Sequence, residues 1–195
     1  MRLFVGLPLA SEVMYELSEA VARLRSPQDG LRWTSPDSWH ITLQFLGNTD
    51  EQHFDCLMLR LAEIHEAPIH VRLGELGFFD RAKVLFVDVV PTPELIALAQ
   101  RVEKATGKCG FVAEARPYHP HITLARAKGD GRGKFSGFPS SEIGIGGSGL
   151  LSGQPSQPTR FAGFRAKEFV LYESRTRPEG AEYLARERFA LTAPG

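Results

Sequence analysis

The sequence predicts an α+β protein built from two related halves with a single cleft between them. Two segments carry this prediction, His40-Ile41-Thr42-Leu43 and His121-Ile122-Thr123-Leu124, which are nearly identical and begin 81 positions apart. A second pair of similar segments, Leu3-Phe4-Val5 and Leu85-Phe86-Val87, has almost the same offset, 82 positions. If the halves pack about a pseudo-twofold axis, the two His-x-Thr segments face each other across the cleft.

Each half has the order strand, helix, connection and His-x-Thr strand. In the first half we expect Ser11 to cap the first helix, and Thr49 with Gln52 to form a capping box before the second. In the second half Thr92 is the predicted cap, followed by a first-turn proline, and Gly107 ends that helix. Alternation of apolar and polar residues predicts strands at 2–7, 40–46, 69–73, 84–87, 121–125, 164–174 and 183–191.

Composition limits the classes of protein. The 195 residues are expected to form one domain, 1–195, with an ordinary globular balance of 43% hydrophobic and 24% charged residues. The formal net charge is zero, so any attraction for anions must be local. No apolar run is long enough to span a membrane. Cys56 and Cys109 lack metal-ligand spacing, and we expect free thiols in a monomeric, cytoplasmic protein.

Positive charge is concentrated around the second His-x-Thr segment. Residues 116–134 contain five basic side chains and the single acid Asp130. Arg126 lies at the end of the strand, where its guanidinium either is solvated or turns into the cleft to hold a phosphate. Residues 129–160 are rich in Gly, Ser and Pro, which is typical of a surface loop. A phosphate-cradling loop is the alternative, although the Gly-Lys-Ser/Thr ending is absent.

The repeated motif has a chemical interpretation. Because side chains alternate along a strand, His40 shares a face with Thr42, and His121 shares a face with Thr123. A single such pair is usually a solvated face, but matched pairs in two halves supply a proton donor, a proton acceptor and two hydroxyls for phosphate oxygens. These are the groups needed to hydrolyse a phosphodiester.

A metal site is a competing interpretation. His40, His119 and His121 could supply three imidazoles, but Pro120 separates two of them and neither motif contains a carboxylate. We therefore predict no metal and no cofactor, and we expect His119 to point to the opposite face or to pack at the strand start. The other histidines are expected on the surface: His53, His65 and His70. Aromatic residues near the motifs could stack on a base or lie in the core: Trp33, Trp39, Phe45 and Tyr118.

The chain resembles the two-histidine phosphoesterases, and among them the RNA 2′,3′-cyclic phosphodiesterases of the 2′-5′ RNA ligase type. The resemblance covers most of the chain in family order, and its pieces are residues 1–5, 31–33, 40–47, 84–87, 116–126 and 170–174. It implies a bilobed α+β fold with an antiparallel sheet and helices in each lobe.

The resemblance also implies metal-independent hydrolysis of an RNA-terminal 2′,3′-cyclic phosphate to a 2′-phosphomonoester and, as in some members, reversible 2′-5′ joining of a cyclic end to a 5′-hydroxyl. It implies RNA ends or nucleotides with such a phosphate as partners. Carried over, His40 is the proton donor and His121 the acceptor, with Thr42 and Thr123 on the phosphate. Two alternatives stay open: a phosphodiesterase of small cyclic nucleotides, and a binding module without turnover.

Overall fold

The protein is described by a computed structural model that covers residues 1–128, 161–177 and 180–193. The loop predicted at 129–160 therefore lies outside the described residues. In the described residues three α-helices occur: α1 (Ser11–Leu24), α2 (Glu51–Ala62) and α3 (Pro93–Gly107). The strands of those residues are β1 (Arg2–Pro8), β2 (Leu31–Trp33), β3 (His40–Asn48), β4 (Ile69–Val71), β5 (Leu73–Phe79), β6 (Val84–Val89), β7 (His121–Ala127), β8 (Phe164–Ala166), β9 (Glu168–Arg177) and β10 (Gly180–Ala190).

Two four-stranded antiparallel sheets form the two halves. The strand order of the first is β10-β9-β1-β3, and that of the second is β2-β7-β6-β5. The His-x-Thr strand pairs in each case with the strand that opens its half, which is β1 for β3 and β6 for β7. The predicted α+β fold with an antiparallel sheet in each lobe is confirmed.

The pairing register shows how closely the halves correspond. Thr42 pairs with Gly6, and Thr123 pairs with Phe86, so the opening strands are related by 80 positions and the His-x-Thr strands by 81. The similar segments of β1 and β6 are 82 positions apart in sequence, whereas the positions that are equivalent in the structure are 80 apart. The two alignments of β1 with β6 therefore differ by two residues. Because two residues restore the same strand face, this difference does not change which side chains point to the cleft.

Both halves also carry a β-bulge at the same place. Leu43 is passed over between the pairs Val5–Gln44 and Gly6–Thr42. Leu124 is passed over in the same way between the pairs that β7 makes with β6. A bulge puts one extra residue in one strand and redirects the side chains that follow it.

The apolar residues of the motifs seal a core that is common to both halves. Ile41, Leu43, Ile122 and Leu124 are all at most 3% exposed, and they belong to one buried cluster with residues of all three helices. Burying each such side chain contributes roughly 1.5–3 kcal/mol. The opposite faces of β3 and β7 are left to the polar residues.

Segment 31–39 belongs to the first half in sequence but joins the second sheet. Its strand β2 pairs with β7, and Thr34 then donates its Oγ1 hydrogen to the carbonyl oxygens of Thr123 (3.1 Å) and Leu124 (2.8 Å). The indole nitrogen of Trp39, which is 5% exposed, donates to Oγ1 of Thr34 at 2.9 Å. This segment therefore ties the start of β3 to the backbone of β7.

Two predicted helix caps and the cysteine prediction need correction. Ser11 is the first residue of α1 rather than its cap, and Asp50 rather than Thr49 caps α2 by accepting from the backbone of His53 at 2.9 Å. Thr92 caps α3 as predicted. Cys56 and Cys109 are joined by a disulfide, so the prediction of free thiols was wrong.

The disulfide joins α2 to the turn that follows α3, a pairing that spacing in the sequence does not reveal. It also removes the argument for a reducing compartment that rested on free thiols. None of the helices in the described ranges is long and apolar enough to cross a membrane.

Candidate active site

The two histidines are held in the same way in the two halves. The Nδ1 atom of His40 lies 2.8 Å from the carbonyl oxygen of Ser38, and Nδ1 of His121 lies 2.8 Å from the carbonyl oxygen of His119. Because a carbonyl oxygen can only accept, each Nδ1 carries the hydrogen. Each Nε2 is therefore left to accept a proton from, or donate one to, a ligand in the cleft.

Aromatic rings surround both imidazoles. The His40 ring lies 4.6 Å from that of Phe4 and 4.9 Å from that of Tyr183, between ring centroids. The His121 ring lies 5.0 Å from Phe79 and 5.5 Å from Phe86. These rings fix the orientation of the imidazoles and withdraw them partly from water.

The protein environment favours the neutral form of both histidines. Burial lowers the pKa of His40 to about 4, and the positive charges of His121 and Arg126 act in the same direction. Burial also lowers the pKa of His121, assisted by His119 and Arg126, while the Asp88 carboxylate opposes the shift. The charge of Arg126 thus lowers the pKa of both imidazoles, which is consistent with both lining one cleft.

Both threonines of the motifs have the predicted placement. Thr42 and Thr123 are half-buried on the same faces as the histidines, opposite the fully buried residues of their strands. Their carbonyl oxygens are occupied, that of Thr42 by the hydroxyl of Tyr118 at 3.1 Å and that of Thr123 by Thr34. Among the described residues neither threonine hydroxyl has a hydrogen-bond partner, so both are available to a ligand.

The bulge at Leu124 decides the direction of Arg126. In a regular strand a residue three positions after Thr123 would point to the opposite face. The extra residue reverses this, so Leu124 and Ala125 are both fully buried while Arg126 is exposed on the face of Thr123. The equivalent position in β3 is Phe45, which the matching bulge leaves 67% exposed.

Of the two placements predicted for His119, the opposite face is wrong, whereas the ring does pack at the start of the strand, against Phe79 and Phe86. Its ring does not point away from that of His121 but lies beside it, with 6.0 Å between centroids, and both rings contact Phe79 and Phe86. Positions two apart share a face, and Pro120 between them does not change that. Nε2 of His119 lies 2.9 Å from Oδ1 of Asp88, the cross-strand neighbour of His121.

Asp88 was not predicted from the sequence, and the aromatic residues near the motifs were left unassigned between base stacking and the core. Asp88 has no local signal, since its relation to His121 exists only through the register of β6 and β7. Trp39 is buried and Trp33 donates to the Asp29 carboxylate, whereas Phe45 is open to a ligand.

The remaining histidines are exposed as expected: His53, His65 and His70. In the described ranges no three metal-ligating side chains are grouped closely enough for a metal ion.

Two equivalent strands that each present a histidine and a threonine to one cleft define a two-histidine phosphoesterase. The chain belongs to the 2′-5′ RNA ligase superfamily, whose family model matches residues 14–132.

Curated relatives agree with this assignment. The chain is 35% identical to a Bacillus subtilis (strain 168) protein named RNA 2′,3′-cyclic phosphodiesterase, over 73% of this chain and 81% of that protein. A protein of the same name from Thermus thermophilus is 30% identical, over 98% of this chain and 90% of the relative.

Solved structures share the fold. Escherichia coli LigT complexed with 3′-AMP is 26% identical with a TM-score of 0.74, and the match covers 98% of both chains. The Thermus thermophilus protein TT0787 is 27% identical with a TM-score of 0.74, and the match covers the whole of both chains.

Proposed function

We propose that this protein hydrolyses RNA-terminal 2′,3′-cyclic phosphate to a 2′-phosphomonoester without a metal ion. The single observation that carries the proposal is the matched presentation of two imidazole Nε2 atoms, each with a threonine hydroxyl on the same strand face. Relatives named RNA 2′,3′-cyclic phosphodiesterase support the choice of substrate.

In the proposed reaction His121 is the proton acceptor and His40 the donor. Nε2 of His121 takes a proton from water as the water oxygen bonds to phosphorus. The bond from phosphorus to the 3′ oxygen breaks, and Nε2 of His40 protonates that oxygen. Thr42 and Thr123 donate hydrogen bonds to the non-bridging oxygens, where transition-state charge accumulates. Each proton-transfer role contributes typically about 10²–10⁴ in rate.

The unequal surroundings of the two histidines support this assignment. Asp88 lies on the strand position opposite His121, and its carboxylate favours the imidazolium that forms when His121 accepts a proton. The position equivalent to Asp88 beside His40 is Pro8, which carries no charge. Burial makes protonated His40 a stronger acid than a solvated imidazolium, which suits donation to an alkoxide leaving group.

Because the pKa of His40 is lowered to about 4, the proton-donating form must be favoured by substrate at neutral pH. The negative charge of the bound phosphodiester favours the protonated form of a nearby imidazole. Arg126 is proposed to bind substrate phosphate from the same face. The catalytic side chains all come from one chain, which supports action as a monomer. A cytoplasmic location stays a prediction, because the Cys56–Cys109 disulfide removes the free thiols on which it rested.

A small cyclic nucleotide is the second candidate substrate. The observation in its favour is that solved structures of Escherichia coli LigT contain 3′-AMP or ATP. Reversible 2′-5′ joining is proposed as a side activity: the oxygen of a 5′-hydroxyl replaces water as the attacking group, bonds to phosphorus, and the bond from phosphorus to the 3′ oxygen breaks as in hydrolysis.

Turnover of an oligonucleotide with a 2′,3′-cyclic phosphate end in excess EDTA tests the proposal. We expect full activity in the chelator, loss of activity in His121→Ala, and unchanged activity in His65→Ala, an exposed histidine outside the cleft. Activity that disappears in EDTA and returns with a divalent ion would overturn the metal-free reaction. Binding without turnover would leave only a nucleotide-binding module.

A further inference from the structure

Two arginines stand side by side at one end of the cleft. Arg32 of β2 pairs directly with Arg126 of β7, and both residues are exposed. The Cβ atoms of directly opposed residues lie about 4.5–5.5 Å apart, and like charges at such positions destabilise a sheet. An anion bound between the two guanidinium groups would therefore relieve their mutual repulsion.

The protein supplies no such anion within the described ranges, where neither Arg32 nor Arg126 has an ion pair or a side-chain hydrogen bond. The nearest carboxylate in sequence, Asp29, is already used. It accepts from the backbone of Leu31 at 2.8 Å and from the indole nitrogen of Trp33 at 2.7 Å. These hydrogen bonds fix the start of β2. They also occupy both oxygens of the Asp29 carboxylate, which is therefore poorly placed to neutralise the charge of Arg32.

The backbone of Arg32 is held next to that of Arg126, because β2 is fixed at both ends. Asp29 anchors the start of the strand, and Thr34 anchors its end to the carbonyl oxygens of β7. The backbone of Thr34 adds a further bond, from its nitrogen to the carbonyl oxygen of Leu124 at 2.8 Å. The juxtaposition of two positive charges is thus built into the fold.

The pair lies on the same face as the reactive groups, one step further along the strand. The bulge at Leu124 returns Arg126 to the face of Thr123, and the paired strand β6 spans the interval in two residues, from Phe86 to Val84. Two residues of strand correspond to about 6.6 Å. This interval is close to the separation of consecutive phosphates along a single nucleic-acid strand.

We propose that Arg32 and Arg126 form a second phosphate subsite, which binds the phosphodiester on the 5′ side of the nucleotide that carries the cyclic phosphate. The inference rests on the proposed function and specifies its substrate class. A strand whose 3′ end occupies the site continues only in the 5′ direction, so its next phosphate must be the 5′ one. Guanidinium groups bind phosphate oxygens in a bidentate manner, and two of them suit one shared monoanion.

The subsite predicts a preference for oligonucleotides and 5′-phosphorylated nucleotides over nucleoside 2′,3′-cyclic phosphates. In Arg32→Gln we expect kcat/KM for a dinucleotide with a cyclic end to fall about tenfold or more, as for loss of a charged hydrogen bond. Its kcat/KM for a nucleoside 2′,3′-cyclic phosphate should stay unchanged. The matched control is Arg165→Gln, which removes the same charge from an exposed strand position in the separate pair β4–β8.

A binding measurement tests the subsite without requiring turnover. Adenosine 2′,5′-bisphosphate should bind Arg32→Gln about tenfold more weakly than the unsubstituted protein, while the affinity for adenosine 2′-monophosphate should not change. Arg32→Lys should restore binding only in part, because an ammonium lacks the guanidinium fork.

Equal losses for ligands with and without the 5′ phosphate, or no loss at all, would overturn the subsite. A protein that binds the bisphosphate in this Arg32-dependent way but hydrolyses no cyclic end would instead contradict the proposed function alone.

Discussion

The low pKa of His40 makes a measurable prediction about stability. Folding moves this pKa from the ordinary 6.5 to about 4, chiefly through burial. Between these values the unfolded chain binds a proton that the folded protein excludes, so stability must fall as pH falls. The contribution of His40 to the folding stability is fully present above pH 6.5, and it is lost progressively as the pH falls towards 4.

The size of the effect follows from the shift. The change in the His40 pKa from 6.5 to about 4 corresponds to about 3 kcal/mol of unfolding free energy. Of this, about 2 kcal/mol is lost between about pH 7 and pH 5. Since His40 is half-buried rather than fully buried, solvent screening reduces this, and we expect about 1–2 kcal/mol over that interval.

The assay compares urea unfolding of the unsubstituted protein and His40→Asn at about pH 7 and pH 5. Asparagine keeps a donor for the Ser38 carbonyl but does not titrate, so the difference between the two proteins isolates His40. We expect the unsubstituted protein to lose about 1–2 kcal/mol more than the variant on going to the lower pH. His65→Asn, at an exposed position, is the control. If His40→Asn loses as much stability as the unsubstituted protein, the reasoning about burial is refuted.

Three further predictions concern the reaction. His40→Ala and His121→Ala should each lower kcat by about 10²–10⁴, and the double variant should be little worse because acid and base serve one step; additive losses in single-turnover assays would contradict this. Thr42→Val and Thr123→Val should each lower kcat/KM by an amount corresponding to about 1–3 kcal/mol with little change in unfolding free energy, and a variant with the full rate would exclude that threonine. The Asp88 carboxylate raises the pKa of His121, so in Asp88→Asn the limb of the pH–rate profile that His121 controls should shift to lower pH. If that limb does not shift, Asp88 has no effect on His121.

The sequence predicted the parts of the site that depend on local periodicity. His40, Thr42, His121 and Thr123 share faces because alternation along a strand is a local rule, and the buried residues between them confirm it. The cap at Thr92 was predicted for the same reason, since a cap depends on residues within one turn. The binding role of Arg126 stays a prediction, although the structure brings it to the expected face.

Features that depend on pairing between distant segments were not predictable. The bulges at Leu43 and Leu124 arise from mismatched residue counts in paired strands, which no local pattern records. The place of Arg32 beside Arg126 follows from β2 joining the sheet of the other half. The error about the face of His119 is different, because its alternation with His121 was visible in the sequence.

In the proposed reaction the two cleft imidazoles open the cyclic phosphate at its 3′ oxygen by adding water to phosphorus. The most direct test of this reaction is hydrolysis of a cyclic-ended oligonucleotide in ¹⁸O-labelled water with EDTA, followed by mass analysis and phosphorus NMR of the product. We predict one labelled oxygen on a phosphate that remains attached to the 2′ position, with a free 3′-hydroxyl. A 3′-phosphomonoester, or a product without label on phosphorus, would contradict the account.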